Sequence, residues 1–185
     1  MSLLKPFNKL PELNTANILL VENETQFQKK LADTIVQLEN DVNVIVRLAR
    51  SLPLPVEIAE KRQRIDLVVF IVHLSSEQSL LSTEVSLKQL ESGYFMGKMC
   101  FLVTGARCGT VPSERLTSLK KMAASLNSPL LMTEDGTTEG VNTAAQRVLN
   151  MLKISAGLVP MATGLYLSSL IRYTVPADPD WQDQD

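Results

Sequence analysis

Short all-apolar runs and stretches of helical periodicity alternate along the chain. Ile18-Leu-Leu-Val21 has no polar position, the pattern of a strand covered on both faces. Phe27, Leu31, Ile35 and Leu38 then recur at helical spacing. Val42, Val44, Val46 and Leu48 alternate with Asn43 and Arg47, which predicts a half-exposed strand near a sheet edge. After the turn-rich Ser51-Leu-Pro-Leu-Pro55, the run Ile65-Asp-Leu-Val-Val-Phe-Ile-Val72 gives the strongest strand signal in the chain. Leu80, Leu81, Val85, Leu87 and Leu90 predict a helix, Cys100-Phe-Leu-Val103 a buried strand, and Leu116, Leu119, Met122, Ala123 and Leu126 a helix with Ser113 as its N-cap. Leu130-Leu-Met132 reads as a short strand. Ala144, Ala145, Val148, Leu149 and Leu152 read as a last helix that Gly157 would cap.

Strands alternating with helices specify an α/β layered domain with a mostly parallel sheet and helices on both faces. The pattern implies a single domain over residues 1–175, followed by an acidic tail, 176–185, expected to be disordered. An apolar segment, 158–172, continues beyond the last helix. The composition, 45% hydrophobic and 21% charged, supplies a full core. The net charge of -2, with the densest basic cluster only Lys61-Arg62-Gln63-Arg64, gives no stripe of the kind nucleic acid needs. Two cysteines and no leader-like start suit a reducing compartment, and no apolar run approaches the ~20 residues of a membrane helix. Cys100, inside an apolar run, reads as a small core residue, and Cys108 as an ordinary loop cysteine.

In a sheet of this type ligands bind at the carboxyl ends of the strands. The first strand–helix turn is where a small GTPase-like (P-loop NTPase-like) domain carries G-x-x-x-x-G-K-[ST], whose amides, lysine and hydroxyl hold phosphate and Mg²⁺. Here Glu22 and Phe27 stand in the places of the glycines, Gln28 in that of the lysine and Lys29 in that of the Ser/Thr, with Asn23, Glu24 and Thr25 between. Carboxylates at Glu22 and Glu24 would oppose a phosphate. Like charges ~4 Å apart repel by about 4 kcal/mol at an effective dielectric of about 20, against ~1 kcal/mol returned by one hydrogen bond. Thr25 and Gln28 have capping-box spacing, so the helix could satisfy its own amides. Lys29 and Lys30 follow the wrong helical phase to turn back onto a phosphate. No Asp-x-x-Gly follows an early strand, since Asp66 opens one. Thr104-Gly-Ala-Arg-Cys108 stands where guanine would be read, Thr104-Gly105 being a tight turn. The interval from Leu48 to Ile65 is also short for the strand–helix unit of the GTPase order.

Several stretches together resemble the centromere protein M family. They are Lys9-Leu-Pro-Glu-Leu-Asn-Thr-Ala-Asn-Ile-Leu-Leu-Val21, Leu48-Ala-Arg-Ser-Leu-Pro-Leu-Pro55, Arg64-Ile-Asp-Leu-Val-Val-Phe70, Gly97-Lys-Met-Cys-Phe-Leu-Val-Thr-Gly-Ala106, Ser128-Pro-Leu-Leu131 and Ile154-Ser-Ala-Gly-Leu-Val-Pro160. The resemblance runs to about Arg172. It implies a pseudo-GTPase, without nucleotide, cofactor or metal and without catalysis. It further implies a place in the nucleus at the centromere and kinetochore, in a complex with centromere proteins H, I and K. Centromere protein I would be the direct partner, with a role in mitotic chromosome segregation.

Other residues are weighed against that picture. His73 ends the best strand, but the nearby Leu74, Ser75, Ser76 and Glu77 bring no second His and no Cys spacing, so a satisfied strand-end histidine is expected. Ser75, Ser76 and Ser79 read as helix-start residues rather than nucleophiles. The apolar surplus after Gly157 must bury itself on the domain or on a partner, and Leu165, Leu167, Leu170 and Ile171 are its candidate docking residues. The Ser51–Pro55 loop is a second candidate surface. The rival readings are a nucleotide-binding small GTPase that uses Lys29 or Lys30 in an unconventional phosphate loop, and a small α/β enzyme built on His73 or a serine.

Overall fold

The computed structural model describes residue 4 and residues 12–24, 26–54, 64–106, 111–160 and 162. Five strands form one parallel sheet: β1 (Thr15–Glu22), β2 (Asn43–Ala49), β3 (Leu67–His73), β4 (Met99–Thr104) and β5 (Leu130–Met132). Four α-helices are described with them: α1 (Gln26–Leu38), α2 (Glu77–Leu87), α3 (Ser113–Ser125) and α4 (Thr138–Ser155). A 3₁₀ turn covers Ser92–Phe95. The strand order is β2-β1-β3-β4-β5, a doubly wound order that reverses direction between β1 and β3. This is the layered α/β plan expected of a small GTPase-like domain. Among the described residues no further strand lies between β2 and β3.

Side-chain alternation along the strands divides the core in two. Ile18, Leu20, Val69, Ile71 and Leu102 face α1 and α4, where Phe27, Leu31, Ile35, Ala145 and Val148 meet them. Leu19, Val21, Phe70, Val72, Phe101 and Val103 face the other way, toward Leu87, Tyr94, Leu119 and Ala123. With both faces covered, every residue of β1, β3 and β4 is buried. The alternating Val42–Leu48 stretch becomes β2, the edge strand, and its side chains are half-buried or exposed, as its polar interruptions predict. Leu4 is fully buried and pairs with Leu90, just past the end of α2, in an isolated parallel bridge.

Helix ends follow local chemistry. Gly157 takes φ +77°, and the amides of Gly157 and Leu158 donate back to Ile154 and Lys153, the predicted glycine-capped end of α4. Ser76 caps α2, its hydroxyl accepting from the Ser79 amide at 3.3 Å. Ser113 does not cap α3. Pro112 holds that place with φ -58° and ψ 125°, and its fixed ring geometry starts the helix at Ser113, whose own hydroxyl makes no cap bond.

The facing of α2 departs from the apolar pattern. Its buried positions are Ser79, Thr83, Ser86 and Leu87, while Leu81 and Val85 are exposed at 48% and 58%. The reason is polar satisfaction close to the sheet. The Ser79 hydroxyl accepts from the His73 amide at 3.0 Å, and the Ser86 hydroxyl accepts from the Leu52 amide at 3.1 Å. Small hydroxyl residues allow that approach, and the helix turns Leu81 and Val85 outward.

Candidate functional site

Parallel register brings the carboxyl ends of neighbouring strands into a row. Glu22 closes β1 opposite Ile71, and His73 closes β3 opposite Thr104 of β4. The loop after β5 adds Asp135. This row lies at the reversal between β1 and β3, where a doubly wound sheet opens its ligand crevice.

Glu22 fills the head of that crevice. Its carboxylate is 1% exposed and turns onto the start of α1, where it accepts from the Phe27 amide at 3.3 Å and from the Gln28 amide at 2.7 Å. These amides form the positive end of the helix, which in a phosphate-binding turn would face the anion. Phe27, in the place of the second glycine, is core. Gln28 is buried, and Lys29 and Lys30 point to solvent. Glu24, expected to stand beside Glu22 against a phosphate, is exposed on the surface, because the single carboxylate of Glu22 already takes both amides. Thr25 lies outside the described residues. The amide that a Thr25 cap would claim, that of Gln28, is held by Glu22 instead.

His73 stands behind Glu22. Its Nε2 is 2.5 Å from Glu22 Oε1 and its Nδ1 is 2.6 Å from the Thr104 hydroxyl, with Asp135 Oδ2 at 3.9 Å from Nδ1. Burial alone would lower the imidazole pKa. The hydrogen bond and charge of Glu22, helped by the charges of Glu24 and Asp135, outweigh it and raise the pKa above its ordinary value. The expected satisfied histidine is therefore present, with both ring nitrogens engaged.

Comparison with known proteins decides the lineage. The family model for centromere protein M (CENP-M) matches residues 1–174. The chain is 58% identical over 179 residues to centromere protein M of Danio rerio, covering 96% of each chain. It is 44% identical over 173 residues to that of Homo sapiens, covering 93% of this chain and 94% of that one. With the Xenopus laevis protein it shares 39% identity over 178 residues, 96% of this chain and 99% of the other. The chain belongs to the centromere protein M family.

In this centromere protein the hydroxyl–imidazole–carboxylate series Thr104–His73–Glu22 has the connectivity of a nucleophile, a base and an orienting acid. Thr104 is only 2% exposed at the end of β4, and Glu22, besides facing His73, accepts from two backbone amides. Farther along the strand ends, a cleft of about 520 Å³ opens between Gly105, Thr133 and Gly140. Among the described residues its walls carry the carboxylates of Glu134, Asp135 and Glu139 and the guanidinium of Arg147. Gly105 has φ +74°, which fits the expected tight turn at Thr104-Gly105. Among the described residues no three His, Cys, Asp or Glu side chains group as metal ligands would.

The remaining candidates fall apart from this row. Asp66 precedes β3, accepts from the Asn17 amide at 2.9 Å and pairs with Arg64, a structural carboxylate rather than a magnesium ligand. Cys100 is buried in β4, and burial pushes its thiol up to about 12, which leaves it inert. Leu52 of the proline loop is buried, while Ser51 and Pro53 are exposed. Cys108, Pro55, Leu165, Leu167, Leu170, Ile171 and the segment 176–185 lie outside the described residues. The pairing of Glu22 with His73 is the feature that residue patterns missed. The partners are 51 positions apart, and only strand order brings them together. Their shared place, each the last residue of a buried strand, is the one signal that pointed to it.

Proposed function

We propose that this centromere protein is a non-catalytic pseudo-GTPase, an interaction subunit of the inner kinetochore that stabilises a complex with centromere proteins I, H and K. It would dock directly on centromere protein I, act in the nucleus during chromosome segregation, and use no nucleotide, cofactor, nucleic acid or membrane surface. The observation that carries the reading is the Glu22 carboxylate on the Phe27 and Gln28 amides, in the position a phosphate would need. An incoming phosphate would have to displace a buried carboxylate already bonded to His73. The exposed Lys29 and Lys30 lend no support to an unconventional phosphate loop.

The docking surface is proposed at the apolar segment 158–172. The chain leaves α4 beside Gly97, whose carbonyl accepts from the Ser155 hydroxyl at 2.8 Å. The adjacent Met96 is 59% exposed. Thermal melting with GTP or GDP and Mg²⁺ tests the first half of the proposal, because any ligand of the folded state raises the melting temperature. An unchanged melting temperature at millimolar nucleotide is expected. A saturable rise would restore the nucleotide-binding reading.

A further inference from the structure

We propose that Glu22 is an internal ligand: its carboxylate, held from behind by His73, occupies the anion position at the start of α1 and keeps the first strand–helix turn closed to external anions. The inference rests on reading this turn as a filled phosphate site, and it does not depend on which proteins the chain binds.

The geometry gives the carboxylate three donors from two separate elements. Two are the backbone amides of Phe27 and Gln28, and the third is His73 Nε2. Helix α1 has no acidic residue in its own first turn, so the charge that complements its positive end comes from the strand before it. His73 is in turn fixed on all sides. Thr104 of β4 meets Nδ1, and the hydroxyl of Ser79 of α2 accepts from the His73 amide. Asp135 from the loop after β5 and Glu24 from the turn after β1 face it with negative charge. The Gln28 side chain, 3% exposed at the same turn, leaves its Oε1 without a hydrogen-bond partner among the described residues. A carboxylate and a phosphate oxygen pair make the same demand of such donors. Removing the side chain beyond Cβ would leave two amides and an imidazole facing a space the size of a carboxylate, a ready site for a small oxyanion.

The test uses the full chain carrying Glu22→Ala, with formate and inorganic phosphate as probes and chloride of equal ionic strength as the control. The wild-type melting temperature in each salt sets the baseline for its general, non-saturating salt effect. The variant should melt lower in chloride and recover part of the loss, saturably, in formate or phosphate. The amide resonances of Phe27 and Gln28 should shift along the same titration. A folded variant that gains no more from formate or phosphate than wild type does would overturn the proposal. So would a wild-type chain whose Phe27 and Gln28 amides respond saturably to phosphate. Glu22→Gln keeps the shape and an acceptor, and covers the case in which the alanine variant does not fold. In it the His73 titration midpoint should fall, since the facing charge is gone, and an unchanged midpoint contradicts the proposed pairing. Nucleotide and partner binding by the wild-type chain are separate measurements, so failure of anion rescue is distinguishable from failure of the pseudo-GTPase reading.

Discussion

Glu22 gives up water on burial and receives three donors in exchange, and the His73 that faces it carries a pH response. Breaking a buried pair by removing one partner typically costs about 3–5 kcal/mol, because the other is left uncompensated. Glu22→Ala is expected in that range in urea unfolding, with two orphaned amides adding to the loss. The sign of the pH dependence follows from His73. Its folded pKa is raised above the unfolded value, so its stabilising contribution is complete below about pH 6.5 and is lost as pH rises through the folded pKa. Stability measured from about pH 6 to about pH 9 should therefore decline. Glu22→Gln should flatten this decline, and a decline of equal size in the variant would show that another group is responsible. The sequence allowed half of this to be read. A glutamate in the place of the first glycine announces a spoiled phosphate turn, but a one-dimensional pattern does not show that the same glutamate fills the turn, nor that a histidine 51 residues away braces it.

At the scale of elements, periodicity located the strands and helices because each buried run is long enough and apolar enough to be unambiguous. The polar interruptions of Asn43–Ala49 even placed β2 at the sheet edge. It did not settle the facing of α2, whose inner stripe takes Leu87 but not Leu81 or Val85. Backbone hydrogen-bond demand from His73 and Leu52 selected Ser79 and Ser86 for that stripe instead. The consequence is an inverted mutational response. Leu81→Lys and Val85→Lys should change stability by no more than about 0.5 kcal/mol, as surface substitutions do. Ser79→Ala should cost about 1–3 kcal/mol by orphaning the buried His73 amide. Urea melts of the three variants decide it, and a large loss at Leu81 or Val85 would mean that the helix faces the other way. The C-terminal apolar segment escapes periodicity for a different reason: a stretch that can bury itself on its own domain or on a partner has the same composition in both cases.

At the scale of the whole molecule, the fold retains the crevice of a doubly wound sheet while its own side chains use the space. Glu22 and His73 close the reversal point, and the cleft farther along is lined by carboxylates. Under the proposed function, association belongs on outer surfaces, with residues 158–172 the proposed contact. Leu165→Glu should weaken binding to centromere protein I by at least about tenfold, as loss of a buried apolar anchor does, with the melting temperature unchanged. A variant that unfolds would instead place Leu165 in the core. The most direct measurement is a calorimetric titration of the full chain with centromere protein I, without nucleotide and again with GTP or GDP and Mg²⁺. The same Kd in all three conditions is the expected result. No binding without nucleotide, or a Kd that differs between GTP and GDP, would contradict the proposed pseudo-GTPase, in which Glu22 takes the place of the nucleotide phosphate.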